Sequence, residues 1–349
     1  MIPIKGRRIV LVGGAGFIGH NLALKLKELG AEVSIIDGLQ VNNILAFSST
    51  ETNIPNRDFY LAILNQRQDL LRKAGVPVFI QDARDYHTLG HLFDKVKPQV
   101  VVQLAAVSHA NKSNKDPFST FDHSFRTLEN ALDCARGYSV EQFIYFSSSM
   151  IYGNFLSGSV TEETHCEPIG IYGALKFGGE KLVIAYNQAF DMPYTIIRPS
   201  ALYGARCVSR RVGQIFIENA LRGTQITIQG DGSDSLDFTC IDDMVDGMVA
   251  VMTNKQALNQ IFNMTYGEAR TLKQMAEIVL EHFPDVSINY VPKDKLMPDR
   301  GTLCMDKAER LLGFKPSWPL ERGFPEYIRW YKEMIKTTGM DGELPVTYG

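Results

Sequence analysis

Seven short apolar runs punctuate the chain, at 9–12, 33–36, 78–80, 100–104, 143–146, 194–197 and 261–264. They are rich in β-branched residues and show no polar alternation, the pattern of strands buried on both faces of a parallel sheet. Amphipathic stretches separate them, including 19–30, 118–136 and 172–190. In the last of these, Leu175, Leu182, Tyr186 and Phe190 recur at seven- and four-residue steps and mark one helix face. Alternation of strand and helix predicts an α/β fold, a doubly wound parallel Rossmann sheet with right-handed crossovers.

Two regions break the rhythm. Residues 39–75 exceed a simple crossover, opening polar (Asn42, Asn43, Ser48, Ser49, Thr50) and closing in a helical pattern over 57–73. Beyond Pro199 the alternation loosens, with turn signals at Gly230-Asp231-Gly232 and across 292–298. The expected division is a dinucleotide-binding Rossmann domain, 1–198 with about 237–262, and a smaller C-terminal α/β substrate-binding domain, about 199–236 and 263–335. The second lies over the carboxyl edge of the sheet, and 336–349 forms a polar tail.

Composition narrows the function classes. Of 349 residues, 45% are hydrophobic and 21% charged, enough to bury about three-quarters of the unfolded surface without a disulfide or metal staple. Basic residues number 36 and acidic 39, so no basic excess exists to bind nucleic acid. Cysteines 134, 166, 207, 240 and 304 are scattered without a CxxC pair, which predicts reduced thiols and no metal site. No apolar run reaches the roughly 18 residues a bilayer requires. The opening MIPIKGRRIV holds no signal-peptide core, and a cytoplasmic location away from membranes is expected.

The first strand runs into Gly13-Gly14-Ala15-Gly16-Phe17-Ile18-Gly19 and then a helix. Such a turn lets backbone touch a pyrophosphate and packs helix against strand, while the helix N-terminus offers free N–H groups. Asp37 ends the second strand 18 residues beyond Gly19. A carboxylate there accepts from a ribose 2′-hydroxyl and repels a 2′-phosphate, so NAD is favoured over NADP.

Tyr172-Gly-Ala-Leu-Lys176 stacks a phenol and an ammonium on one helix face. Upstream, Phe146-Ser147-Ser148-Ser149-Met150-Ile151-Tyr152-Gly153 puts Ser148 at the carboxyl end of a buried strand, where ligands bind in such sheets. Bringing a phenol from pKa near 10 to about 7 requires ~4 kcal/mol of preferential phenolate stabilisation. One cation about 4 Å away, at an effective dielectric of ~20, supplies about that much.

These motifs, in this order, resemble the extended short-chain dehydrogenase/reductases, specifically the NAD-dependent nucleotide-sugar epimerase/dehydratase family. The resemblance spans nearly the whole chain. It includes Asp82-Ala83, Leu104-Ala105-Ala106, Arg198-Pro199-Ser200-Ala201-Leu202-Tyr203-Gly204, Asp306-Lys307-Ala308 and Leu312-Gly313-Phe314. It implies a cofactor site of Gly13, Gly16, Phe17, Ile18, Gly19, Asp37, Asp82, Ala83, Leu104, Ala105, Ala106, Tyr172 and Lys176. It implies that Tyr172 takes a sugar hydroxyl proton, Ser148 bonds the same oxygen, and Lys176 also holds the nicotinamide ribose. Substrate residues implied are His109, Ser149, Met150, Ser200, Arg211 and Arg300.

The branch oxidises a nucleotide-diphospho-sugar, usually at carbon-4, and then diverges. Members resembling 4,6-dehydratases carry Asp-Glu directly after the Ser/Thr, where this chain has Ser149-Met150. Members that epimerise next to the ketone carry cysteine at the Met150 position. A 4-epimerase, similar to UDP-glucose 4-epimerase, is therefore the leading expectation. A 4-dehydrogenase releasing the 4-keto sugar comes next, and then a dehydratase or a non-catalytic NAD-binding protein. Cys207 stands where some relatives hold a catalytic His or Lys, and is either a proton donor or a small loop residue. His109 either orients a sugar hydroxyl or is structural. Two departures remove expected phosphate contacts: Ala201 replaces the usual Asn and Leu236 the usual Arg. Arg210, Arg206 or Ser200 are the candidates to compensate. Helices 118–136 and 172–190 match those that pair across a dimer in the family, implying a homodimer through a four-helix bundle.

Overall fold

The computed structural model describes residues 1–48, 56–108, 110–293 and 297–339. Every apolar run of the sequence lies in one seven-stranded parallel sheet. Its spatial order is Gln260–Met264, Tyr194–Pro199, Gln142–Phe146, Val100–Gln103, Arg8–Val12, Glu32–Asp37, Val78–Ile80. The interiors of the central strands are fully buried, which is why their side chains are apolar on both faces, while the edge strand Val78–Ile80 is part-exposed. From Arg8–Val12 the chain steps outward through the next two strands, then returns to place Val100–Gln103 on the other side of the first. That reversal opens a crevice at the strands' carboxyl ends.

Helices cover both faces. Phe17–Glu28 packs on Ile241–Thr253 on one side, and Tyr86–Val96, Thr127–Gly137 and Gly170–Phe190 pack in series on the other. Three expectations need adjustment. The stretch 118–136 is not one α-helix: Pro117–Phe121 and Thr127–Gly137 are joined by a π-helical turn, Asp122–Arg126. The turn carries an extra residue, and within it the Ser124 hydroxyl accepts from Val107 N–H at 3.1 Å, outside the helical ladder. The apolar face read in 172–190 packs on the core only in part. Gly173, Lys176, Gly179, Glu180 and Val183 are buried there, while Leu175, Leu182 and Tyr186 are half-buried and Phe190 exposed. Finally, the last helix, Leu320–Thr338, continues past the start of the expected tail, because Met334 and Ile335 still pack in the core and Gly339 caps it at φ +67°.

A second core lies beyond the strand ends. Phe216, Ile217, Ile226, Ile228, Phe238, Met275, Phe324, Tyr327 and Tyr331 build it. Helix Arg57–Lys73, from the long insertion, contributes Phe59, Tyr60, Ile63 and Leu64 to this same cluster. The insertion is thus a brace between the sheet and the C-terminal helices. At its centre Glu218 is buried and accepts from Asn56, Tyr60, Gln214 and Tyr331 at 2.8–2.9 Å.

Candidate active site

A cavity of about 550 Å³ fills the crevice between the two cores. Its dinucleotide wall is backbone. Gly13 sits at φ +77° with its N–H on Ile36 O at 2.8 Å, and a Cβ there would fall 2.4 Å from Ala105 N. A Cβ on Gly19 would meet Gly14 O at 2.4 Å, so helix Phe17–Glu28 reaches the strand only because position 19 is bare. No side chain caps that helix, which leaves its first N–H groups to a phosphate. His20 is kept neutral by burial and by Arg67 and Arg206; its Nδ1 donates to Gly16 O at 2.9 Å, and its Nε2 accepts from Arg206 at 3.0 Å.

Asp37 closes the second strand, accepting from Ala15 N at 2.9 Å and Leu39 N at 2.7 Å, while burial raises its pKa. Burial works against the Asp82 carboxylate too, but Arg84 and Gln40 outweigh it and hold its pKa at about 2. Gly13, Gly16, Phe17, Ile18, Gly19, Asp37, Asp82, Ala83, Leu104, Ala105 and Ala106 all line the cavity. A bare turn, an uncapped helix start and a carboxylate at the second strand end fit NAD.

Ser148, Tyr172 and Lys176 line the same cavity beside Phe146. Ser148 follows strand Gln142–Phe146, and its hydroxyl accepts from Met150 N at 3.2 Å, capping the short turn Ser149–Tyr152. Helix Gly170–Phe190 presses on that turn: a Cβ at Gly173 would be 2.8 Å from Met150 O. Lys176 is buried, donates to Phe146 O at 2.6 Å and lies 5.1 Å from the Tyr145 ring centroid. Burial brings its pKa down to about 8 against the pull of Glu180. Glu180, one turn further, is clamped by Arg198 at 3.0 and 2.8 Å, which fixes the helix to strand Tyr194–Pro199.

The opposite wall carries cations. Arg211 and Arg300 line it together with Arg210, Ser149, Met150 and Ser200. Burial, and next the Arg211 charge, lower the Arg300 pKa to about 10. The Nε atoms of Arg210, Arg211 and Arg300 are buried without a partner. Cations that repel one another and lack acceptors call for an anion. Arg206 does not join them: it turns to helix Phe17–Glu28, bonding His20 and, at 2.9 Å, Asn21 Oδ1. Cys207 is buried on this wall, its Sγ 3.6 Å from Ser209 Oγ, and His109 lies outside the described residues. Sequence reasoning missed Asn111, Asn114, His123 and Arg67, which also face the cavity. Among the described residues no His, Cys, Asp and Glu cluster suits a metal, the five cysteines are free, and no helix is long and apolar enough to cross a membrane.

A parallel Rossmann sheet, a glycine turn open to the cavity and a serine, tyrosine and lysine around it define an NAD-dependent enzyme of the extended short-chain dehydrogenase/reductase type. The model of the NAD dependent epimerase/dehydratase family matches residues 9–265, and the chain belongs to that family. It is 28% identical over 336 residues to YtcB of Bacillus subtilis, named an uncharacterized UDP-glucose epimerase, covering 94% of this chain and 99% of that one. It is also 28% identical over 325 residues to a dTDP-glucose 4,6-dehydratase of Streptomyces griseus, covering 93% of each. Among solved structures, UDP-glucose 4-epimerase of Thermus thermophilus in complex with NAD superposes with a TM-score of 0.79 at 25% identity, covering 93% of this chain and 99% of that one.

Proposed function

We propose that the protein is a nucleotide-diphospho-sugar 4-epimerase, with Tyr172 as the acid–base, Ser148 and Lys176 as its partners, and Arg211 and Arg300 as ligands of the substrate diphosphate. The observation that carries the reading is one cavity with the glycine turn on one wall, unpaired arginines on the other, and Ser148, Tyr172 and Lys176 between them. Tyr172 takes the proton from the hydroxyl on carbon-4, and Ser148 donates to the same oxygen. Lys176 is held by the Phe146 carbonyl and favours the phenolate. NAD held along the Gly13–Gly19 turn would supply the hydride acceptor and donor for carbon-4, and inversion requires the cavity to present either face of the sugar to it.

Met150 supports epimerisation over dehydration. It lines the cavity where related dehydratases carry Glu, and a thioether neither gives nor takes a proton. The epimerase name of YtcB supports the same choice, with UDP the first nucleotide to test. Incubation with UDP-, dTDP-, GDP- and CDP-sugars, read by mass and NMR, tests it. A product of unchanged mass inverted at carbon-4 is expected; loss of water indicates a dehydratase and loss of two hydrogens a dehydrogenase.

The same reading includes a cytoplasmic homodimer. Phe118, Phe121, Ile171 and Phe190 are exposed on adjoining helices, and a second copy covering them through a four-helix bundle would remove this apolar surface from water. Light scattering at twice the monomer mass is the expected result.

A further inference from the structure

Among the described residues Arg67 is the largest side chain that is fully buried, at 1% exposure, yet it reaches the cavity. It comes from helix Arg57–Lys73, the insertion that belongs to none of the motifs above. Its Nε donates to Arg206 O at 2.9 Å and its Nη2 donates to the same carbonyl. Its third nitrogen, Nη1, is buried with no partner. A guanidinium out of water with one edge unpaired is costly, and an acceptor on that edge removes the cost.

The surroundings say which acceptor. Arg67 is close enough to Asp37, at the end of the second strand, and to His20, on the first turn after the glycine loop, to act on both electrostatically. Asp37 lines the dinucleotide wall, and His20 is buried behind it on helix Phe17–Glu28. We infer that Arg67 is a ligand of NAD: its free Nη1 edge meets the diphosphate–ribose portion, while its other edge holds the loop bearing Arg210 and Arg211. This rests on the cofactor lying along the glycine turn. The Arg67 fork ends on Arg206, and Arg206 bonds His20, which bonds Gly16 O. One chain of part-buried bonds therefore joins the arginine loop to the glycine loop, and Arg67 Nη1 is the unpaired group at its end.

Calorimetric titration of NAD-stripped protein tests the assignment, with NAD and UDP as separate probes. Arg67→Met should raise the NAD Kd about tenfold or more, the scale of one charge-assisted hydrogen bond. Its UDP Kd should rise less, and the thermal shift produced by NAD should shrink. Unchanged NAD affinity with a lowered Tm makes Arg67 a brace only and overturns the inference, as does a loss confined to UDP. Should Arg67→Met not fold, a crystal structure of the wild type with NAD decides: Nη1 within 3.5 Å (about the hydrogen-bond limit) of a cofactor oxygen supports it, and a guanidinium facing only protein sinks it. Wild-type protein that binds no NAD would instead refute the cofactor site itself.

Discussion

The two walls of the cavity are built by different means. The glycine-turn wall is backbone: parallel ladders join Arg8–Val12 to both neighbours, and the turn follows from the strand end within seven residues, Gly13 to Gly19. The arginine wall hangs on side chains that meet across the chain. Its loop holds two non-glycine residues at positive φ, Arg206 (+66°) and Arg210 (+49°). Arg67 grips Arg206 across 139 residues, and Gln214 accepts from Arg210 N at 2.9 Å while donating to Glu218. Ladder hydrogen bonds are many and mutually supporting. A loop held by a few buried polar contacts loses its shape when one goes. The first wall is thus pre-formed for a constant ligand, and the second is adjustable by changes remote from the substrate.

The largest expected effect falls where the walls meet. Tyr172→Phe keeps the ring and removes the proton carrier, and should lower kcat by about 10²–10⁴ with little change in NAD affinity. Retained turnover in that variant would move the acid–base role elsewhere on the cavity. The next effect separates the walls. Glu218→Ala strips the acceptor from Asn56, Tyr60, Gln214 and Tyr331, leaving buried donors unmet. A loss of about 3 kcal/mol or more in urea unfolding is expected. Where the variant still folds, UDP binding should weaken more than NAD binding. Equal weakening of both would mean that the walls are mechanically one.

This difference also explains what was legible in the sequence. The central strands could be read because burial on both faces makes each a continuous apolar run, the edge strand Val78–Ile80 was read from its apolar run although it is part-exposed, and the glycine turn because its chemistry is local. Ser148, Tyr172 and Lys176 were read from strand end, helix spacing and the family resemblance together, and the structure brings all three to one cavity. Arg211 and Arg300 came from resemblance alone. Arg67 carried no signal, since its role is set by a carbonyl 139 residues away. Arg206 was read as a phosphate candidate, but a partner on another helix claims it. The π turn at Asp122–Arg126 escaped because the stretch 118–136 reads as one continuous helical pattern.

Lys176 yields a pH test with opposite signs for activity and stability. Its folded pKa is lowered to about 8 from an ordinary value of 10.5. As pH rises through 8 the Lys176 ammonium is lost, so under the role proposed for it kcat/KM should fall about tenfold per pH unit beyond it. Stability responds the other way. Between pH 8 and 10.5 the unfolded chain holds the proton that the folded one has shed, so this group adds stability as pH rises across that window. In Lys176→Met both slopes should flatten. A basic limb that persists unchanged in that variant would assign it to another group.

The smallest effect concerns strain on the adjustable wall. Ala201 sits at φ +36°, where an alanine Cβ crowds its own backbone, and lines the cavity beside Ser200. Left-handed backbone costs an ordinary residue roughly 1 kcal/mol. Glycine relieves this but gives back about 0.5–1 kcal/mol as unfolded-chain entropy, so Ala201→Gly should be nearly neutral in Tm. Asparagine tolerates the left-handed region without that entropy loss and carries the amide that the family resemblance leads one to expect at this position. Ala201→Asn should therefore stabilise by up to about 1 kcal/mol and add a donor toward the diphosphate, lowering the UDP Kd. A gain in stability with no change in UDP binding would mean that Arg210, Arg211 and Arg300 already satisfy the phosphates. A loss in both would mean that the loop's shape, strained as it is, is the one the substrate requires.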